Sequence, residues 1–388
     1  MTTTLLLPTA DRGLEPYEPG AAEPVRPAPG PPPRSRRAYA AVHVVADPLA
    51  DGDPVTGSHV EWEATLAYRR HIWSLGLGVA DAMDTAQRGM GLGWPAAREL
   101  IRRTGAEARA VGGDLVCGAG TDQLPPGPAT LDRVRAAYAE QLEVVEEAGA
   151  GAVLMASRAL AAAADGPEDY LKVYEELLGQ VSRPVILHWL GEMFDPALAG
   201  YWGHGDPAAA ADVVVALCSA HADRVDGVKV SLLDEALEVR LRRRMPPGVR
   251  VYTGDDFDYP RLIEGDDHGH SDALLGILDA VAVPAAAALR ALDEHDVAGF
   301  RALLAPTVPL ARHVFSAPTA HYKTGLVFLA YLNGHQAHFR MIGGLESART
   351  IVHLSQVFRL ADGAGLLTDP PAAARRMQPL LALAGVGQ

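Results

Sequence analysis

Val225-Asp226-Gly227-Val228-Lys229-Val230 is the stretch on which the reading of the fold turns. Its β-branched residues and single glycine, without polar alternation and with a helix-like segment behind them, predict a short strand buried on both faces. A lysine in such a strand is costly, because an ammonium buried without a partner loses several kcal/mol or sheds its proton. Lysine is also scarce here: of 34 Lys and Arg residues, only Lys172, Lys229 and Lys323 are lysines. An amine kept in that setting points to a group that must be neutral. Burial lowers a lysine pKa from about 10.4 to roughly 5–7 and makes it a nucleophile toward carbonyl carbon. The structural alternative is a lysine that snorkels from the strand end to solvent.

Working outward from this strand, the same rhythm runs in both directions. Strands are predicted at 41–46, 77–82, 114–118, 151–156, 184–189, 225–230, 249–253 and 272–277. Helical patterns lie between them, at 59–75, 94–110, 130–148, 167–181, 207–222, 232–244 and 260–264. Pro95, Pro167 and Pro207 suit first helical turns, and Gly149 and Gly179 suit helix ends. Strand–helix alternation demands parallel strands joined by right-handed crossovers. Eight units in roughly 250 residues is the size of a closed (β/α)8 TIM barrel. An open doubly wound sheet is the alternative, but no GxGxxG follows the first strand. The α/β barrel is therefore expected over residues 38–283, with a helical C-terminal extension over 284–388 packed on it. Residues 1–37, crowded with Pro, Gly and Ala, are expected to be a disordered tail.

Composition narrows the function. The 388 residues are 48% hydrophobic and 21% charged, enough for a large core. A net charge of −14 with no basic stripe argues against nucleic acid. No run is long enough to cross a bilayer, and the N-terminus lacks a signal-peptide pattern. Cys117 and Cys218 are far apart and show no ligand spacing, which suits a reduced, cytoplasmic protein.

Chemistry in a barrel of this kind collects where strands end. Asp84-Thr85-Ala86-Gln87-Arg88 follows the second strand, Gly120-Thr121-Asp122 the third, and Ser157-Arg158 the fourth. His188-Trp189 ends the fifth, Lys229 stands in the sixth, and Asp255-Asp256 follows the seventh. His268-Gly269-His270-Ser271 leads into the eighth.

Taken in order, several of these pieces resemble the dihydrodipicolinate synthase / N-acetylneuraminate lyase family of class I aldolases and lyases, over about residues 40–335. Gly227-Val228-Lys229 is similar to the family's Gly-Ile/Val-Lys, whose lysine forms the Schiff base. Thr253-Gly254-Asp255-Asp256 resembles its Ser-Gly-Asp-Asp, and Asp47-Pro48-Leu49 to Val55 its opening loop. Gly149 to Leu154 and Tyr170 to Leu187 resemble its fourth strand, helix and fifth strand.

The resemblance implies a homo-oligomer (dimer or tetramer) acting on a small carbonyl compound with no cofactor beyond the lysine imine. It also implies roles: Lys229 as nucleophile, His188 as general acid/base where the family has tyrosine, and Thr85 in a proton relay. Substrate-binding positions would be Asp84, Gln87, Arg88, Gly120, Thr121, Asp122, Trp189, Asp255, Asp256, His270 and Ser271. Arg88 suits a bidentate carboxylate or phosphate clamp. The Asp84–Arg88 loop departs from the family's Gly-Thr-Thr-Gly-Glu, and the tyrosine after the fourth strand is missing, which puts pyruvate in doubt.

The expected activity is an aldolase or lyase acting on a 2-keto acid or keto-sugar. Alternatives are a dehydratase using the same lysine, a metal-dependent barrel around the 14 histidines (foremost His268 and His270), or a non-catalytic barrel that binds a sugar acid. A metal is not favoured, since no ligand spacing is specific. Lys323 reads as a surface residue at a helix start, with a second substrate charge as its alternative.

Overall fold

The computed structural model describes residues 4–53 and 55–386; positions 1–3 of the expected tail and 387–388 of the expected extension lie outside it. The eight apolar runs form β3 (Ala38–Ala41), β4 (Gly78–Asp81), β5 (Leu115–Ala119), β6 (Gly151–Leu154), β7 (Val185–Leu190), β8 (Val225–Ser231), β9 (Arg250–Thr253) and β10 (Asp272–Leu275). Each pairs in parallel with its neighbours, and β10 closes on β3, so the sheet is a barrel without edges. The first barrel strand lies earlier than residues 41–46; the chain stays buried through Ala46 but leaves the ladder after Ala41.

Helices α1 (Trp62–Ser74), α2 (Trp94–Val111), α3 (Leu131–Glu147), α4 (Arg158–Ala163) with α5 (Pro167–Leu178), α6 (Pro207–Ala220), α7 (Glu235–Arg242), α8 (Tyr259–Glu264) and α9 (Leu278–Asp293) make the outer ring. Pro95, Pro167 and Pro207 all stand in first turns, where a missing amide hydrogen is harmless. Because α9, the helix that follows the eighth barrel strand, contains Pro284, the expected boundary at 283/284 falls inside a helix. The extension follows it as α10 (Val297–Leu304), α11 (Val308–Val314), α12 (Tyr322–Leu332), α13 (Ile351–Gly363) and α14 (Pro370–Leu383).

The expectation of a disordered tail needs correcting. Leu5–Pro8 (β1) and Leu14–Tyr17 (β2) pair antiparallel, with Leu5 and Leu7 buried. Asp362 of α13 accepts hydrogen bonds from the Tyr17 hydroxyl and from the Gly20 and Ala21 amides. Farther on, Val25 N–H donates to Gly365 O, and Asp293 accepts from the Arg34 and Ser35 amides. Alone, the segment can bury little apolar area on itself. Here the body of the protein supplies both the apolar surface and the acceptors.

Period-two alternation decides which side chains enter the barrel. Tyr39, Ala80, Val116, Val153, Ile186, Tyr252 and Leu274 form an interior cluster separate from the core between strands and helices. On β7 the same parity turns His188 inward and Trp189 toward the helices; on β8 it turns Lys229 and Ser231 inward.

Candidate active site

Strand register sets the centre. His188 on β7 pairs with Lys229 on β8, which pairs with Tyr252 on β9. Lys229 is 6% exposed, and among the described residues no carboxylate lies within 4 Å of its amine. Burial lowers its pKa, with Asp84 and Asp256 pulling the other way. The amine lies inside the barrel and does not snorkel outward. Gly254 makes room for it: a Cβ there would stand 2.2 Å from Ser231 Oγ, 2.8 Å from Val230 O and 3.1 Å from Lys229 Cε.

His188 is fully buried. Its Nε2 lies 3.2 Å from Ser231 Oγ, while Nδ1 has no hydrogen-bond partner among the described residues and sits 3.9 Å from Asp84 Oδ2. Burial, reinforced by Lys229, holds the imidazole well below its usual pKa, so the ring is neutral. Asp256 accepts from the Ile277 amide at 2.8 Å, and burial pushes its carboxyl up to about 7. Thr85 Oγ1 meets the Tyr322 hydroxyl at 2.9 Å. The phenol comes from α12, so the C-terminal extension reaches the barrel mouth. There Tyr322 stacks on Phe315 with ring centroids 4.4 Å apart, and Phe194 meets its edge at 6.1 Å.

Beside this centre a cavity of about 540 Å³ opens over the ends of β4 to β7, lined by Asp84, Gly120, Thr121, Ser157, Arg158 and Asp195 among others. Asp84 thus joins the cavity to the ring of groups around Lys229. Thr121 and Ser157 share a hydrogen bond of 2.6 Å.

Other expected site residues have different work. Arg88 lines the cavity, but all its N–H groups are taken: by both oxygens of Asp122, by Gln141 Oε1, and by the carbonyls of Ala82 and Gly118. It is a strut rather than an open clamp, and Asp122 is its counter-ion. Gln87 donates to Met90 O and Ile342 O, tying its loop to the extension. Asp255 Oδ1 accepts from the Phe257 and Asp258 amides and so closes the turn before α8. Trp189 is buried in the helix-side core and does not wall the cavity.

His270 and Ser271 lie at the wrong end. They precede β10, and in a parallel barrel the residues before a strand sit on the face opposite the strand C-termini. The Ser271 hydroxyl donates to Glu238 of α7, and His270 feels Arg36, Asp272, Arg242 and Arg250 around the barrel's bottom. Among the described residues no group of three or more His, Cys, Asp or Glu is placed to hold a metal ion. No helix in them is long and apolar enough to cross a membrane.

Lys323 differs most from its expected surface position. It is 4% exposed, its Nζ donates to Ala320 O at 3.0 Å and touches Met90 Sδ at 3.5 Å, and burial lowers its pKa to about 8. Sequence reasoning also missed Ser231 and Tyr322. Ser231 was within reach, since it stands two residues beyond Lys229 on one strand and so faces the same way. Tyr322 gave no such signal, because only the docking of α12 brings it to Thr85.

Solved structures with this fold include YagE, a prophage protein of the dihydrodipicolinic acid synthase family from E. coli K12 in complex with pyruvate. It is 15% identical, with a TM-score of 0.63 over 90% of this chain and 99% of that one. Dihydrodipicolinate synthase from Aquifex aeolicus is 13% identical, with a TM-score of 0.64 over 86% and 99%. The chloride-inhibited synthase from Acinetobacter baumannii, complexed with pyruvate, is 15% identical, with a TM-score of 0.63 over 86% and 100%. At these identities the likeness is one of fold. No curated protein matches the sequence. One sequence family, DUF993, described as a protein of unknown function, matches residues 5–386, and the chain belongs to it.

Proposed function

We propose that the protein is a Schiff-base-forming lyase of the class I aldolase type, acting on a 2-keto acid or keto-sugar through Lys229. The observation that carries this reading is an amine inside the barrel with no carboxylate within 4 Å among the described residues, its pKa lowered by burial, in register with a buried neutral imidazole. The likeness in fold to structures that hold pyruvate supports it.

In this mechanism the neutral Lys229 amine adds to the substrate carbonyl, forming a C–N bond and a carbinolamine. Loss of water gives an iminium, into which the electrons of an adjacent C–C or C–H bond flow to leave an enamine. His188, with Nδ1 unpartnered, accepts the proton released as that bond breaks, and returns one to the enamine carbon. Asp256, with a carboxyl poised near neutrality, supplies the proton that turns the carbinolamine hydroxyl into leaving water. Hydrolysis then restores the amine.

Reduction with borohydride during incubation with a panel of 2-keto acids and keto-sugars tests the reading. The expected result is a stable mass adduct mapped to Lys229 and absent from Lys229→Met. Absence of any adduct across the panel, with the protein folded, overturns it.

A further inference from the structure

The cavity at the barrel mouth holds cationic groups that the covalent chemistry does not use. Arg158 is fixed through one nitrogen only: its Nε donates to Asp195 Oδ2, while Asp195 Oδ1 accepts from the Ala197 amide. The two terminal nitrogens, Nη1 and Nη2, have no acceptor among the described residues. The guanidinium side chain is 56% exposed where it lines the cavity. An arginine gripped by Nε presents its outer pair of nitrogens as a fork, the geometry that matches the paired oxygens of a carboxylate or phosphate.

Lys323 stands across the Gln87–Gly91 loop. It touches Met90, while a Cβ at Gly89 would lie 3.7 Å from Arg158 Nη1. Its nitrogen has Ala320 O, Met90 Sδ and, 4.4 Å from the ring centroid, Tyr322 as neighbours, with no carboxylate within 4 Å among the described residues. Arg158 and Arg88 each have a carboxylate partner, Asp195 and Asp122, but Arg88 has no N–H left for a ligand. At its outer part the cavity therefore presents the two free terminal nitrogens of Arg158, an arginine held at Nε by Asp195. At its inner part stands Asp84, whose carboxylate lies 3.9 Å from His188.

This polarity selects between substrates. A carboxylate bonded directly to the reacting carbonyl would lie beside Asp84 and be repelled, whereas hydroxyl groups there would find an acceptor. An anionic group several atoms away would reach the fork of Arg158.

We infer that the mouth cavity is a subsite for an anionic group remote from the reacting carbonyl, bound by the outer nitrogens of Arg158. The preferred substrate class is then a hydroxylated ketone or aldehyde with a terminal phosphate or carboxylate, rather than a simple 2-keto acid. This rests on, and narrows, the imine chemistry proposed for Lys229.

Two measurements separate the subsite from that chemistry. Glycerol 3-phosphate has no carbonyl and reports the subsite alone. Calorimetry is expected to show it binding wild type and Lys229→Met alike, and binding Arg158→Ala about ten- to a hundredfold more weakly. Arg158→Lys should recover part of the loss, as a point charge without the fork. Equal affinity in wild type and Arg158→Ala, or no binding to either, overturns the subsite whatever Lys229 does.

Borohydride trapping then tests the narrowing, with dihydroxyacetone phosphate, hydroxyacetone and pyruvate compared. Dihydroxyacetone phosphate is expected to trap at least tenfold faster than either of the others. Its advantage over hydroxyacetone should collapse toward one in Arg158→Ala. Pyruvate trapping as fast as dihydroxyacetone phosphate overturns the remote-anion assignment while leaving the lyase reading intact. Binding of glycerol 3-phosphate without any imine would leave the subsite standing and remove the lyase reading.

Discussion

Lys229 weakens the fold in the state that makes it reactive. A buried base whose pKa is lowered on folding holds its proton more weakly in the native state than in the unfolded one. The resulting penalty is present below the unfolded value near 10.4 and fades as pH rises toward it. Lys229→Met keeps the volume and removes the charge. It is expected to raise the urea midpoint at pH 7 by an amount worth about 1 kcal/mol or more, with a smaller gain at pH 9.5, while abolishing borohydride trapping. An unchanged or lower midpoint at pH 7 contradicts the burial argument. Gly254 gives a second test at this scale. With 2.2 Å from a new Cβ to Ser231 Oγ and 2.8 Å to Val230 O, Gly254→Ala must shift the strand end that carries Lys229. A loss of imine formation by at least tenfold is expected in a protein that still folds, read by trapping rate against circular dichroism. The lysine was legible in the sequence because its type contradicts its surroundings. Arg88 misled because a sequence shows which residues can grip an anion, not which already hold Asp122 and Gln141.

At the level of elements, period and caps are legible in the sequence, whereas contacts made by docking are not. The eight strands and the crossover helices announce themselves through period and caps, as at Pro95, Pro167 and Pro207. His270 and Ser271 neighbour a strand in sequence but stand at its N-terminal end, on the face away from the chemistry. The β1–β2 hairpin was missed because its few apolar residues are satisfied by α13. Asp362 of that helix is the anchor, taking hydrogen bonds from Tyr17, Gly20 and Ala21. Replacing it by alanine leaves three donors unpaired in a partly buried site. Asp362→Ala is expected to cost about 2–4 kcal/mol in chemical denaturation and to open the first twenty residues to proteolysis, while Asp362→Asn loses less. Equal protease resistance in wild type and Asp362→Ala would show the hairpin to be held mainly by Leu5 and Leu7.

For the whole molecule, stability should fall on the acid side. His335, close to His71 and Tyr68 at ring distances of 4.7 and 4.9 Å, is driven to a pKa of about 3 by burial and then by the neighbouring His71 and His43. His353, stacked on His313 at 4.1 Å, is likewise held near 3 by burial and by His313. Both are bases with folded values below the unfolded 6.5, so their contribution is intact above about 6.5 and is lost as pH drops toward 3. Each should remove at most about 1.4 kcal/mol per pH unit across that window. Urea midpoints measured from pH 7.5 to 5 should decline, and His335→Asn should flatten the slope. A flat profile in wild type would mean that neither ring is as enclosed as the packing indicates.

The anchoring of Tyr17 on Asp362 spans 345 positions of sequence. Residues 5–17 therefore find their seat only after α13, made more than three hundred residues later, has emerged. Until then Leu5 and Leu7 travel without a partner, as an apolar handle open to chaperones. The β1–β2 hairpin and α13 then fasten together like a clasp beside a finished barrel. A nascent chain stalled before residue 351 would lack that clasp, and one stalled before residue 322 would also lack the phenol that caps Thr85.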